Sequence, residues 1–191
     1  MAAQSAKKSA VFLIALLLLP LLYALIQSWF PVYNSESELL AAVRKELAME
    51  ADDPRELSIL GRAKDGERVL FVVGRNDPNA SALSLSCHDY LPVYCSEFNG
   101  GLVLEHISNW GMYEASGSEG LFYYTGLDGF AFLVLNPACA SIAVTGSGGF
   151  NTREIAVPSV PFFHYEGGVF GTADGDYTYS FRFFSKDGEE L

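Results

Sequence analysis

The longest apolar pattern in the sequence covers residues 10–30, AVFLIALLLLPLLYALIQSWF, where only Pro20, Gln27 and Ser28 interrupt a run without charge. At about 1.5 Å rise per residue, some twenty helical residues span the roughly 30 Å hydrocarbon core of a bilayer. The pattern therefore predicts a transmembrane helix over 10–30 that serves as a signal anchor. Pro20 removes one backbone hydrogen bond and kinks that helix, which membrane helices tolerate. Trp29 and Tyr33 suit an interfacial aromatic anchor. A cleaved signal peptide is the rival reading. It requires a shorter apolar region followed by small residues in an A-x-A-like arrangement, which residues 24–28, ALIQS, match poorly. Lys7 and Lys8 precede the run and Glu36 and Glu38 come after it. The positive-inside bias then makes 1–9 a cytoplasmic tail and 32–191 an extracytoplasmic domain, the whole a single-pass protein of the cell membrane.

Beyond the anchor the periodicity becomes helical and then alternating. Ser35 with Glu38 three residues later forms a capping-box pattern. Leu39, Leu40, Val43 and Leu47 recur at spacings of three and four, predicting a helix over about 36–50 that ends before Asp52-Asp53-Pro54. Residues 57–63 and 67–74 flank Lys64-Asp65-Gly66 and read as a hairpin turning at Asp-Gly, with the apolar run 69–73 as a central strand. Residues 82–87 and 102–107 are further strand candidates. A second Asp-Gly hairpin joins 121–125 to 130–135. Residues 140–145, 153–157 and 177–184 add strands, and 162–165 form a short extended stretch just after Pro158 and Pro161. Tyr177, Tyr179, Phe181 and Phe183 share one face of the last strand. With 18 glycines and strands this short, antiparallel sheets with tight turns are expected. The fold class predicted is α+β: an N-terminal transmembrane helix, one further helix, and a sandwich-like, predominantly antiparallel β domain.

Charge narrows the partners. Two of the 12 basic residues precede the anchor, so the part beyond it sets 10 basic against 23 acidic residues, a formal charge of −13. Such a field repels nucleic acid and anionic lipid, and nucleic-acid binding is excluded. The expected partners are the membrane, through the single span, and a protein, basic proteins and divalent cations being electrostatically allowed.

Candidate chemistry is sparse. Cys87, Cys95 and Cys139 are odd in number; Cys87 and Cys95 enclose a short loop containing Pro92 and form a possible disulfide, with buried free thiols as the alternative. Gly146-Ser147-Gly148-Gly149 is followed by β-like residues rather than a helix carrying Lys, so it reads as a turn and not a phosphate cradle. No G-x-S-x-G elbow occurs, and His88, His106 and His164 lack metal-ligand spacing. Cys87-His88-Asp89 places neighbours on opposite faces if it is a strand, although Cys139 with His106 or His164 stays open as a spatial pair. Asp174-Gly175-Asp176 lacks the remaining spacing of a calcium loop. Trp110, Tyr113, Tyr123 and Phe162 are either core or an exposed aromatic surface for sugars or peptides. No cofactor, metal or catalytic residue is assigned. The function expected is a non-catalytic, membrane-anchored module that binds a partner or supports an envelope assembly. The alternatives are an envelope-acting enzyme using a Cys/His site, or a sensory ectodomain.

Overall fold

A computed structural model describes residues 18–22, 25, 29–76, 86–108, 111–115, 119–126, 129–146, 152–167 and 179–191. Among these described residues twelve strands follow in sequence order: β1 (Val32–Tyr33), β2 (Glu56–Asp65), β3 (Arg68–Asn76), β4 (Tyr90–Phe98), β5 (Gly101–Ile107), β6 (Tyr113–Glu114), β7 (Leu121–Gly126), β8 (Gly129–Val134), β9 (Cys139–Gly146), β10 (Arg153–Ala156), β11 (Phe162–Glu166) and β12 (Tyr179–Ser185). Helix α1 (Glu36–Glu46) lies between β1 and β2, and a single 3-10 turn (Cys87–Asp89) precedes β4. All pairings among the described residues are antiparallel and form three sheets. The first runs β1-β5-β4-β3-β2, the second β11-β8-β7-β6 and the third β10-β9-β12.

Alternation along two strands stacks these sheets. Val69, Phe71 and Val73 of β3 join Val93 and Cys95 of β4 against Leu39 and Val43 of α1. Their neighbours Leu70 and Val72 face the other way, meeting Ala131 and Leu133 of β8, Phe122 of β7 and Met112. On β8 the partition repeats, because Phe130, Phe132 and Val134 face Ile142 and Val144 of β9 and Phe183 of β12. Successive strand residues point to opposite faces, so an unbroken apolar run marks a strand covered on both sides. The result is a four-layer order: helix, first sheet, second sheet, third sheet. Each fully buried Phe or Leu in these layers contributes about 1.5–3 kcal/mol relative to exposure.

Helix α1 begins as its sequence implies and ends sooner. Ser35 Oγ accepts from Glu38 N at 3.2 Å, and the Glu38 carboxylate accepts from Asn34 N at 2.7 Å, a capping box displaced by one residue on its return leg. The helix stops at Glu46 rather than near 50. Ala48 takes a left-handed φ of 50°, Ala48 N donates to Lys45 O and Met49 N to Arg44 O, the paired bonds of a Schellman cap. Arg44 then fastens the adjoining loop, donating to the carbonyls of Glu50, Asp53 and Arg55 at 2.9–3.0 Å.

Both Asp-Gly hairpins form, as β2–β3 and β7–β8. The segment 82–85 lies outside the described residues, and Cys87 opens the 3-10 turn rather than ending a strand. Strand β4 runs instead through Pro92, where the reading from sequence places a turn. Proline is tolerated because β5 is running out beside it: Ser108, one residue past β5, donates to Pro92 O at 2.9 Å. A bulge in β2 between Ile59 and Gly61 brings that strand against β11, where a Cβ on Gly61 would stand 2.2 Å from Phe163 Cγ. The first and second sheets thus meet at a corner, giving the sandwich a half-barrel character.

The apolar N-terminal run is described only in part, since 1–17, 23, 24 and 26–28 lie outside the described residues. Leu18–Leu22 are helical. No helix among the described residues is long and apolar enough to cross a membrane.

Candidate functional site

A row of side chains spans the second sheet on its face toward the third: Tyr113 on β6, Tyr123 on β7, Phe132 on β8 and His164 on β11, each the register partner of the next. The third sheet has three strands to cover four. Phe181 of β12 packs on Tyr123 and Phe132, with ring centroids 5.1 and 5.0 Å apart. Arg153 of β10 reaches Glu166 of β11 at the opposite edge. Strand β6 is left beyond this cover. Tyr113 stacks on Tyr123 at 5.5 Å and 29°, yet remains 48% exposed. The overhang places an aromatic face in solvent at a sheet edge only two residues long.

At the other end of the row lies a charged seam. Glu166 is shared between Arg153 and His164, whose Nε2 is 3.3 Å from a carboxylate oxygen. His164 also lies parallel to Phe162, with centroids 6.3 Å apart. Residues two apart on β11 point the same way, which is why Phe162, His164 and Glu166 meet on one face. Arg153 comes from a different sheet, so no spacing in the sequence announces the grouping.

The structure separates the expected aromatic surface. Tyr123 and Phe162 are half-buried against the core between the second and third sheets. Tyr113 is exposed, and Trp110 lies outside the described residues. Cys95 is a free thiol, fully buried between the first sheet and α1, while the side chain of Cys87, its candidate partner from spacing, lies outside the described residues. Burial pushes the Cys95 thiol pKa up to about 12, the Glu105 carboxylate adding to the effect. Cys139 is likewise free and buried, its pKa raised by desolvation, and its Sγ donates to Ser141 O at 3.6 Å rather than to a histidine. His106 sits on the first sheet, stacked near Tyr94 at 6.4 Å, with the second sheet between it and Cys139. Of Cys87-His88-Asp89, the His88 carbonyl and the Asp89 carboxylate both serve Arg75, at 2.8 and 3.2 Å.

Among the described residues no group of three or more His, Cys, Asp or Glu side chains is placed to hold a metal. Open depressions flank the helix end. One, of about 690 Å³, is bounded by Met49, Pro54, Arg55 and Arg75 together with Glu50, Asp52 and Asp53. Compared with protein-family models, curated proteins and solved structures, the sequence and its fold match none.

Proposed function

We propose that this is a single-pass, membrane-anchored protein whose domain from residue 32 onward lies outside the cytoplasm and binds a protein partner without catalysing a reaction. The observation that carries the reading is the exposure of the apolar run. Leu18, Leu19, Leu21, Leu22, Leu25, Trp29 and Phe30 are all 54–74% exposed. Exposed large apolar side chains in such number call for a bilayer or another protein to cover them. The acidic composition of the domain and its overhanging Tyr113 edge support the partner-binding half, since aromatic side chains with polar tips are favoured at interfaces. Against the enzymatic alternative stands the chemistry of the thiols: a cysteine whose pKa is raised by burial is a poor nucleophile at neutral pH.

The test separates anchor from partner. Full-length protein and a form starting at residue 32 are expressed, and membranes are washed with alkaline carbonate. Retention of the full-length protein alone, with the domain digestible by protease added from outside, supports the anchor and its orientation. Release of both forms by carbonate, or protection of the domain, overturns it. Cross-linking through a photoreactive residue at position 113 then reads the partner. One adduct of defined mass supports the binding edge, and labelling no stronger than at exposed Glu154 rejects it.

A further inference from the structure

We propose that Asn99 is a site of spontaneous, self-inflicted modification, and that its conversion loosens the strand through which the N-terminal segment joins the domain. Asn99-Gly100 is the single Asn-Gly pair of the sequence. It forms the two-residue loop between β4 and β5, where Phe98 pairs with Gly101, and both loop residues have positive φ, 50° and 82°. That is the type I′ geometry for which Asn-Gly is favoured. Both residues are exposed, nothing lies within 4 Å of where a Cβ on Gly100 would stand, and no hydrogen bond holds the Asn99 side chain among the described residues. Two other asparagines among the described residues are held by their side chains. Asn136 donates to Glu119 O and accepts from Ala138 N, and Asn76 donates to Ser58 Oγ.

The chemistry needs only water. The Gly100 backbone nitrogen, giving its proton to solvent, forms a bond to Asn99 Cγ. The bond from Cγ to the amide Nδ2 breaks and ammonia leaves, closing a five-membered succinimide. Water then opens one of its two carbonyls, yielding aspartate or, through the other, isoaspartate with the backbone rerouted through Cβ and Cγ. Glycine is the follower that hinders the attack least, because it has no Cβ and ranges widely in φ. Either product adds a carboxylate close in sequence to Glu97, which already pairs with Lys64 and Arg62.

Isoaspartate does more than add charge. It lengthens by one carbon a loop whose turn type admits two residues, and the register of a hairpin depends on its loop. Gly101, the first residue after the loop, lies close against β1: a Cβ there would stand 2.4 Å from Val32 Cγ1 and 3.0 Å from Tyr33 O. A displaced Gly101 therefore disturbs the pairs Val32–Val103 and Tyr33–Leu102. The proposal concerns the hairpin alone and stands whether or not the protein is anchored in a membrane.

The experiment ages the purified full-length protein in mildly alkaline buffer at physiological temperature and maps its peptides by mass spectrometry, with isoaspartate resolved from aspartate by chromatography. Conversion at Asn99 is expected several-fold faster than at Asn34, Asn76 or Asn136. A rate at Asn99 no higher than theirs overturns the modification. The deamidated protein, separated from the starting form by its extra charge and then resolved by chromatography into its isoaspartyl and aspartyl forms, is compared with fresh protein by hydrogen exchange, the aspartyl form serving as the control for charge alone. Several-fold faster exchange across residues 32–33 and 102–103 is expected in the isoaspartyl form, and unchanged protection there overturns the coupling to β1.

Discussion

The first sheet and the two sheets beyond it are built on different plans. Strands β2 to β5 succeed one another along the sequence, pair largely with their sequence neighbours, and receive α1 from the segment just before them. The second and third sheets are interleaved: β6 to β8 belong to the second, β9 and β10 to the third, then β11 returns to the second and β12 to the third. Their cores differ as well. Between α1 and the first sheet the buried side chains are mostly aliphatic, with Phe71 among them. Between the second and third sheets Phe130, Phe132, Phe181 and Phe183 interlock at tilted and edge-on angles. Aromatic pairs of this kind add about 0.5–1.5 kcal/mol each beyond their area. Contacts close in sequence form with a small loop-closure cost, while the returning strand must close a longer loop before its contacts reward it. The comparison assigns local assembly to one half and mutual dependence to the other.

The sharpest way to break that contrast is to hollow out one core at a time. Phe132→Ala and Phe71→Ala each remove a fully buried ring and should cost about 3–5 kcal/mol. Hydrogen exchange should show Phe132→Ala exposing the second and third sheets while β3–β4 amides stay protected; equal loss in all three sheets would mean a single cooperative unit. Gly61→Ala acts where the halves meet. Its methyl has to displace the Phe163 ring, at a cost of about 1–3 kcal/mol, and urea denaturation should register the loss without a change of slope. Arg44→Ala is smaller, about 2 kcal/mol, and Arg44→Lys should not restore it, because one ammonium cannot reproduce the fork to three carbonyls. Its signature is local, with cleavage by a limiting protease in residues 47–55 preceding any other.

The smallest effect near neutrality grows with pH. Cys95 titrates near 12 when folded and in the usual thiol range when unfolded, so the folded state holds its proton longer. The stability this represents is fully present below the unfolded pKa and is lost as pH rises from there toward 12. Replacing Cys95 by valine should flatten the alkaline decline in thermal midpoint, and a thiol reagent should modify Cys95 only as fast as the protein opens.

Much of the architecture was legible because local and global signals agree. The run 69–73 reads as a central strand since its two faces are both covered, and Asp65-Gly66 and Asp128-Gly129 mark their hairpins by turn chemistry alone. Strand β4 was hidden by Pro92, which signals a turn unless one knows that the neighbouring strand stops beside it. Strand β6 is too short for any period to appear. The end of α1 shifted because a left-handed Ala48 closes the helix where glycine is the usual sign. At the candidate site, Phe162, His164 and Glu166 carry a readable alternation, whereas Arg153 joins them through the packing of separate sheets. Which aromatics are exposed depended on how far the third sheet reaches, a property of strand count and not of Tyr113 itself.

Strand β1 also has a mechanical meaning. Anything that holds the polypeptide ahead of residue 31 pulls on the domain through two residue pairs, Val32–Val103 and Tyr33–Leu102. The next firm attachment is α1, fixed by the fully buried Leu39 and Val43. Under tension the two-residue strand peels from the sheet edge first, while the helix keeps its seat. Residues 32–35, once free, span about 13 Å at about 3.3 Å each and let the point of attachment swing away from the sheet edge. Were the domain held from that side, β1 would act as a short sacrificial link, yielding before the layers beneath it.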